Sequence, residues 1–246
     1  MKLAAIDIGS NSIHMIVAEI DGDGSVTVID RQKEMVHLGE RSLVDGYLGE
    51  DAQERGLEAL RTFKRMADGY EVADVIAVAT SAVREARNGA DFIARVADEC
   101  GIAARMVEGV EEGHLIYLGT REVFDFGARG ALIIDIGGGS VEFILANQRR
   151  DYLVKSLKLG VRRLKDTFLH SDPPTREELE TLRTHIRRRV DFVVEPVRAR
   201  GFDIALASSG TARALARITA ARTGNSPEYV SRADLAETVR CLATAT

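Results

Sequence analysis

The chain has 246 residues, 33 Lys and Arg against 38 Asp and Glu, a net charge of -5, 45% hydrophobic residues and two cysteines. That length holds one large domain or two of ordinary size, and the acidic balance argues against a general nucleic-acid binder, although local basic clusters can still meet a polyanion. No apolar run reaches membrane-spanning length and the N-terminus goes straight into a strand, so neither a membrane span nor a signal peptide is expected and the expected location is cytoplasmic. Cys100 and Cys241 have no metal-ligand spacing and are expected as free thiols.

The opening reads as strand, tight turn, strand: Leu3-Ala4-Ala5-Ile6, then Asp7-Ile8-Gly9-Ser10-Asn11-Ser12, then Ile13-His14-Met15-Ile16-Val17. A turn over 21–24 leads to a third strand over 26–31. A helix over 50–68 follows, with Leu57, Leu60, Phe63 and Ala67 at steps of three or four, and stops at Gly69. The apolar run over 75–79 has the signature of a buried parallel strand, and it delivers Thr80-Ser81-Ala82-Val83-Arg84 at its C-terminal end, where ligands gather in open α/β sheets. After a helix over 91–100 and a short strand over 104–107, Gly109-Val110-Glu111-Glu112-Gly113-His114 opens another helix. Residues 127–130 read as a joint, giving domains over 1–126 and 127–246.

The pattern then restarts. Ala131-Leu132-Ile133-Ile134 runs into Asp135-Ile136-Gly137-Gly138-Gly139-Ser140 and on into Val141-Glu142-Phe143-Ile144-Leu145, followed by a strand over 152–156. A helix over 161–169, a Pro173-Pro174 break and a long helix over 177–197 come next, the last with Leu179, Leu182, Ile186, Val190, Val193 and Val197 on one stripe. A strand over 204–207 runs into Ser208-Ser209-Gly210-Thr211, a third candidate phosphate turn, here at a helix N-terminus.

The doubled Asp, Gly and Ser offsets point to a two-sided phosphate clamp. Gly allows positive φ and lets an anion approach the amide N–H groups, while Ser and Asn add donors. An Asp at the end of the preceding strand suits a Mg²⁺ ion that phosphate oxygens also bind, so one carboxylate per turn implies metal-bridged phosphate. The competing reading is two ordinary Gly-rich hairpins with Asp and Asn as turn formers.

On these residues the chain resembles the exopolyphosphatase and guanosine pentaphosphate phosphatase (Ppx/GppA) family of the actin-like ATPase superfamily. The further matching pieces are Ala79-Thr80-Ser81-Ala82-Val83-Arg84-Glu85-Ala86-Arg87-Asn88, Glu108-Gly109-Val110-Glu111-Glu112, Leu159-Gly160-Val161-Arg162-Arg163-Leu164 and Ser209-Gly210-Thr211-Ala212. The resemblance implies an α/β fold of two ribonuclease-H-like domains with a cleft between them, the second lacking its last strand and closing helix and so leaving surface near residues 204–215 uncovered. It implies that Glu112 is the general base for the attacking water, against the plainer reading of Glu111 and Glu112 as an acidic first helical turn. Asp135 and Glu142, with Asp7, would handle Mg²⁺ or Mn²⁺; for Glu142 a solvent-facing strand position is the alternative. Gly9, Ser10, Asn11, Ser12, Gly137, Gly138, Gly139, Ser140, Ser209, Gly210 and Thr211 would line the phosphates.

Arg84 resembles the family's phosphate-gripping arginine, the alternative being an ion pair with Glu85 or Asp91. Arg163 aligns with the family's arginine before leucine, whereas Arg149, Arg150, Arg162 and the run over 187–189 read mainly as a solvated face. The family usually has Arg where His37 stands. The expected activity is Mg²⁺-dependent removal of terminal phosphate from inorganic polyphosphate. Guanosine pentaphosphate is the alternative substrate, and a nonhydrolysing polyphosphate binder or a superfamily kinase the alternative class. The family resemblance also implies a homodimer.

Overall fold

A computed structural model describes residues 1–40 and 42–244; the last two positions of the expected second domain lie outside the described residues. The chain forms two compact units, Met1–Glu108 and Gly109–Thr246.

In the first unit β1 (Lys2–Ile8), β2 (Ile13–Ile20), β3 (Val26–Glu34), β4 (Asp74–Ala79) and β5 (Ala104–Met106) make one sheet in the order β3-β2-β1-β4-β5. β2 is antiparallel to β1, and β4 runs parallel to it through the helix α2 (Glu50–Gly69). Alternation along β1 sends Ala4, Ile6 and Ile8 into a core with Leu57, Leu60 and Phe63 of α2 and with Phe92 and Val96 of α4 (Gly89–Cys100). β4 departs from the expectation of a strand buried on both faces: Ala77 and Ala79 are buried, but Ile76 is 51% exposed, because helices cover only one face of this strand. Two single-turn helices, α1 (Ser42–Asp45) and α3 (Ser81–Arg84), are too short to announce themselves by periodicity.

The second unit repeats the plan with β6 (Ala131–Ile136), β7 (Val141–Ala146), β8 (Asp151–Leu157) and β9 (Ile204–Ser208) in the order β8-β7-β6-β9. β7 is antiparallel and β9 parallel to β6. Among the described residues this sheet has four strands where the first has five, and β9 is its edge, with Ala205 and Ala207 exposed. One face packs on α5 (Gly109–Val123) through Tyr117, Ile133, Ile144 and Ala146. The other takes α6 (Val161–Phe168) and α7 (Arg176–Arg200), with Leu182, Ile186 and Val190 of the expected stripe against Val141 and Leu159. Because α5 packs on β7 and β8, the chain divides at residue 108, ahead of the glycine-rich segment at 127–130.

The start of α7 is fixed by a capping box. Thr175 Oγ1 accepts from Glu178 N (3.2 Å), while Glu178 Oε2 accepts from Thr175 N (2.7 Å) and Oε1 accepts from His170 N (2.8 Å). α8 (Ser209–Thr223) and α9 (Arg232–Thr244) close the described chain, and α9 contains Cys241, whose surroundings read as helical in the sequence. Cys100 is buried and Cys241 exposed, both free. Among the described residues no helix is long and apolar enough to cross a membrane.

Candidate active site

The two repeated turns share one geometry. Gly9 N donates to Ser12 O (3.2 Å), and Gly137 N donates to Ser140 O (3.0 Å). Each turn is also held from behind by the segment after the third strand of its unit. In the first unit, Val36 N and His37 N donate to Asn11 O (3.1 and 2.9 Å), and Gly39 N donates to Ser10 O (2.7 Å). In the second, Val161 N donates to Gly137 O (3.0 Å), Arg162 N to Gly138 O (2.9 Å) and Gly160 N to Gly139 O (3.2 Å). The carbonyls of each turn are therefore spent on main-chain donors at its back. Among the described residues neither Gly138 N–H nor Gly139 N–H donates to another backbone group, which is the arrangement an anion-receiving turn requires.

Glycine is needed at residue 160 for a different reason than in the turn. A Cβ there would lie 2.3 Å from backbone atoms of Gly138 and Gly139, so α6 can close on the turn only with no side chain at this point. Arg163 takes part in the same latch, its Nε donating to Gly139 O (2.9 Å).

The register of the second sheet lines up a polar row that sequence reading grasped only in part. Ser156 stands opposite Glu142, Glu142 opposite Asp135, and Asp135 opposite Ser208, on the face that packs against α5. Ser156 Oγ donates to Glu142 Oε1 (2.7 Å), and Ser208 Oγ donates to Asp135 Oδ2. Glu142 is 1% exposed, so the solvent-facing alternative is excluded. Burial, then the negative charge of Glu112, pushes its carboxyl up to about 8; the Ser156 and Ser140 hydroxyls act in the opposite direction. Asp135 is also raised by burial, against the pull of the Ser208 hydroxyl and the Arg213 cation.

Glu112 reaches this row because α5 lies close on the sheet, and α5 lies close because residue 113 is glycine. A Cβ there would meet Val154 Cγ1 at 2.4 Å and Glu142 Cγ at 3.7 Å. Ser209 completes this end of the unit in a left-handed conformation (φ 76), its hydroxyl donating to Ile136 O. Gly210 and Thr211 follow in the first turn of α8.

The first unit places its expected residues at the equivalent end of its own sheet. Ser10 Oγ and Ser81 Oγ are hydrogen-bonded and buried (2.9 Å), which ties the first turn to the end of β4. Ser12 Oγ bonds His14 Nε2 (2.8 Å), and His14 stands opposite Asp7, where the second unit has Glu142 opposite Asp135. Arg84 Nη1 donates to Val107 O (2.5 Å), a main-chain tether outside either sequence alternative. His37, in a left-handed conformation (φ 52), has a buried Nδ1 without a hydrogen-bond partner among the described residues.

The donor set fits a small hard cation. It is made of carboxylate oxygens, and burial of Asp135 and Glu142 penalises their charged forms, a penalty that a cation would relieve. Among the described residues no three or more His, Cys, Asp or Glu side chains form a metal cage. The remaining ligands would therefore be water and phosphate oxygens, as Mg²⁺ favours.

The model of the Ppx/GppA phosphatase family matches residues 16–246. This chain belongs to that family. Ppx/GppA relatives include exopolyphosphatase 1 of Mycobacterium leprae, 33% identical over 90% of this chain and 66% of its own length, and exopolyphosphatase 1 of Mycobacterium tuberculosis, 31% identical over 98% and 71%. The chain thus spans about two thirds of the length of these relatives. The crystal structure of an exopolyphosphatase from Cytophaga hutchinsonii superposes with a TM-score of 0.92 at 28% identity, covering 100% of this chain and 81% of that one. The Aquifex aeolicus member gives 0.70 at 30% identity, over 92% and 72%. The mixed α/β fold of two sheets is accordingly that of the Ppx/GppA family.

Proposed function

We propose that this chain hydrolyses the terminal phosphoanhydride of inorganic polyphosphate, with Glu112 as the general base. The observation that carries the reading is a buried Glu142, hydrogen-bonded from Ser156 beside the glycine turn at 137–139, with Glu112 on α5 near enough for its charge to act on that carboxyl. Phosphoryl transfer needs an oriented water and charge stabilisation and little covalent help from the protein. A helix-borne carboxylate at the rim of such a row can accept a proton from water, while the carboxyl behind it and its serine fix where that base sits. Turn amides, with the hydroxyls of Ser12, Ser140 and Thr211, would hold phosphate oxygens. Asp135 and Glu142 would hold Mg²⁺, which when bound supplies charge neutralisation to the phosphates. Exopolyphosphatases among the relatives favour polyphosphate as the substrate, and the family's second activity makes guanosine pentaphosphate the comparison substrate.

The test is phosphate release with Mg²⁺ from long-chain polyphosphate, guanosine pentaphosphate, and ATP with a sugar mixture. Release from polyphosphate is expected, with Glu112→Gln lowering kcat about 10² to 10⁴-fold while polyphosphate binding persists. Normal turnover by Glu112→Gln would remove Glu112 from the base role. Preference for the nucleotide would move the chain to the pentaphosphatase branch. Binding of polyphosphate without release would make it a binder.

A further inference from the structure

The second unit has a cavity of about 930 Å³ at the opposite end of its sheet from Asp135. Gly130, in its lining, and Asp135 are separated by the length of β6, roughly 16 Å at about 3.3 Å per residue. The cavity opens where the C-terminal end of α7 leaves the sheet, beside the bulge in the β7–β8 ladder at Leu145/Ala146. Its character is divided. Leu145, Leu153, Pro196 and Phe202 supply an apolar wall, and Tyr152 with Arg200 a cationic end.

The cationic end is built around one ring. Arg200 Cζ lies 3.2 Å and Arg150 Cζ 4.8 Å from the Tyr152 ring centroid, and Asn147 Nδ2 donates to the Tyr152 hydroxyl (2.7 Å). Two guanidiniums gathered on one tyrosine repel each other, and their attraction to the ring only partly offsets this. Of the nearby carboxylates, Asp203 also lines the cavity and accepts from Gly130 N there (2.7 Å), and Asp151 pairs with His114 (2.8 Å). A guanidinium stacked on a ring keeps N–H groups at its edge, in the fork that matches phosphate oxygens. An inorganic anion alone would leave the apolar wall wet, and a neutral aromatic would leave the cations uncompensated.

We propose that this cavity binds a nucleoside phosphate, its base against the Leu145, Leu153 and Phe202 wall and its phosphate on Arg200, with the charge of Arg150 nearby across the Tyr152 ring. The site is separate from the carboxylate row, and its occupancy does not depend on what reaction that row performs.

The test is isothermal titration calorimetry of the purified chain with AMP, GMP and UMP. These carry no phosphoanhydride, so turnover cannot disturb the reading. Binding of at least one is expected, weakened tenfold or more by Arg200→Ala and less by Arg150→Ala, partly kept by Arg200→Lys, and unchanged by Glu112→Gln. Both arginines are exposed, and unchanged circular dichroism confirms that the variants fold. The proposal is overturned if none of the three nucleotides binds at millimolar concentration. It is equally overturned if the nucleoside or orthophosphate alone binds as tightly, or if affinity falls with Glu112→Gln and not with the arginine variants. Hydrolysis of polyphosphate is measured separately, so either reading can fail without the other.

Discussion

Replacing Glu142 with Gln is expected to raise stability at alkaline pH while abolishing turnover. The wild-type carboxyl is 1% exposed and is pushed from 4.5 up to about 8, by burial first and by Glu112 second. A carboxyl that holds its proton more tightly in the folded protein contributes stability fully below pH 4.5, and that contribution drains away as pH rises through 8. At about 1.36 kcal/mol per unit, the span from 4.5 to 8 sets a ceiling of roughly 4 to 5 kcal/mol. Relaxation and water entry around a buried charge bring the expected effect to about 2 kcal/mol. For a chain of this size that is about 4 to 8 °C in Tm. Gln keeps the shape and an oxygen to accept from Ser156. The assay is thermal melting in EDTA, followed by circular dichroism at pH 5 and pH 8.5. The variant should melt with the wild type at pH 5 and several degrees above it at pH 8.5, and Mg²⁺ should raise the wild type alone. Equal melting of the two proteins at pH 8.5 would refute the reasoning.

Three further outcomes follow from the same geometry. Gly113→Ala places a Cβ 2.4 Å from Val154 Cγ1 and should cost about 1–3 kcal/mol in urea unfolding, together with most of the activity; Val154→Ala in the same chain should restore both, and failure to do so would separate Gly113 from this contact. Gly160→Ala meets backbone atoms of Gly138 and Gly139 at 2.3 Å, which cannot rotate away, so the turn must shift; a displacement near 1 Å should lower kcat/KM on the order of 10²-fold, and an unchanged value would detach the latch from function. Glu178, held down to about 2 by backbone donors from Thr175 and His170, stabilises the start of α7 above pH 4.5, and this is lost as pH falls through 2; Glu178→Gln should flatten the acid side of the melting profile, and an identical profile would refute the cap's part in it.

Much of this was legible in the chain because it rests on local signals. The repeated Asp-Ile-Gly phrases sit in turns closed by the same bond, and the long apolar stripe of α7 packs as its spacing implies. Other features depend on register. Ser156 lies in an unremarkable strand end and Ser208 reads only as the opening of a phosphate turn, and only the pairing of four strands brings them to Glu142 and Asp135. The ownership of α5 was equally hidden, since its apolar side is read the same way whichever unit it covers. Gly113 gave one available signal: a glycine directly after a paired glutamate, inside a helix, asks what lies too close for a side chain.

The spent carbonyls at the back of both turns bear on how their chemistry can be dissected. Donors furnished by the main chain survive every side-chain substitution, so an alanine scan through residues 138 and 139 reports altered backbone freedom and leaves the amide in place. Amide-to-ester replacement, which deletes a single N–H and keeps the side chain, is the change that interrogates such a turn, and semisynthesis is the route by which each turn can be weighed separately.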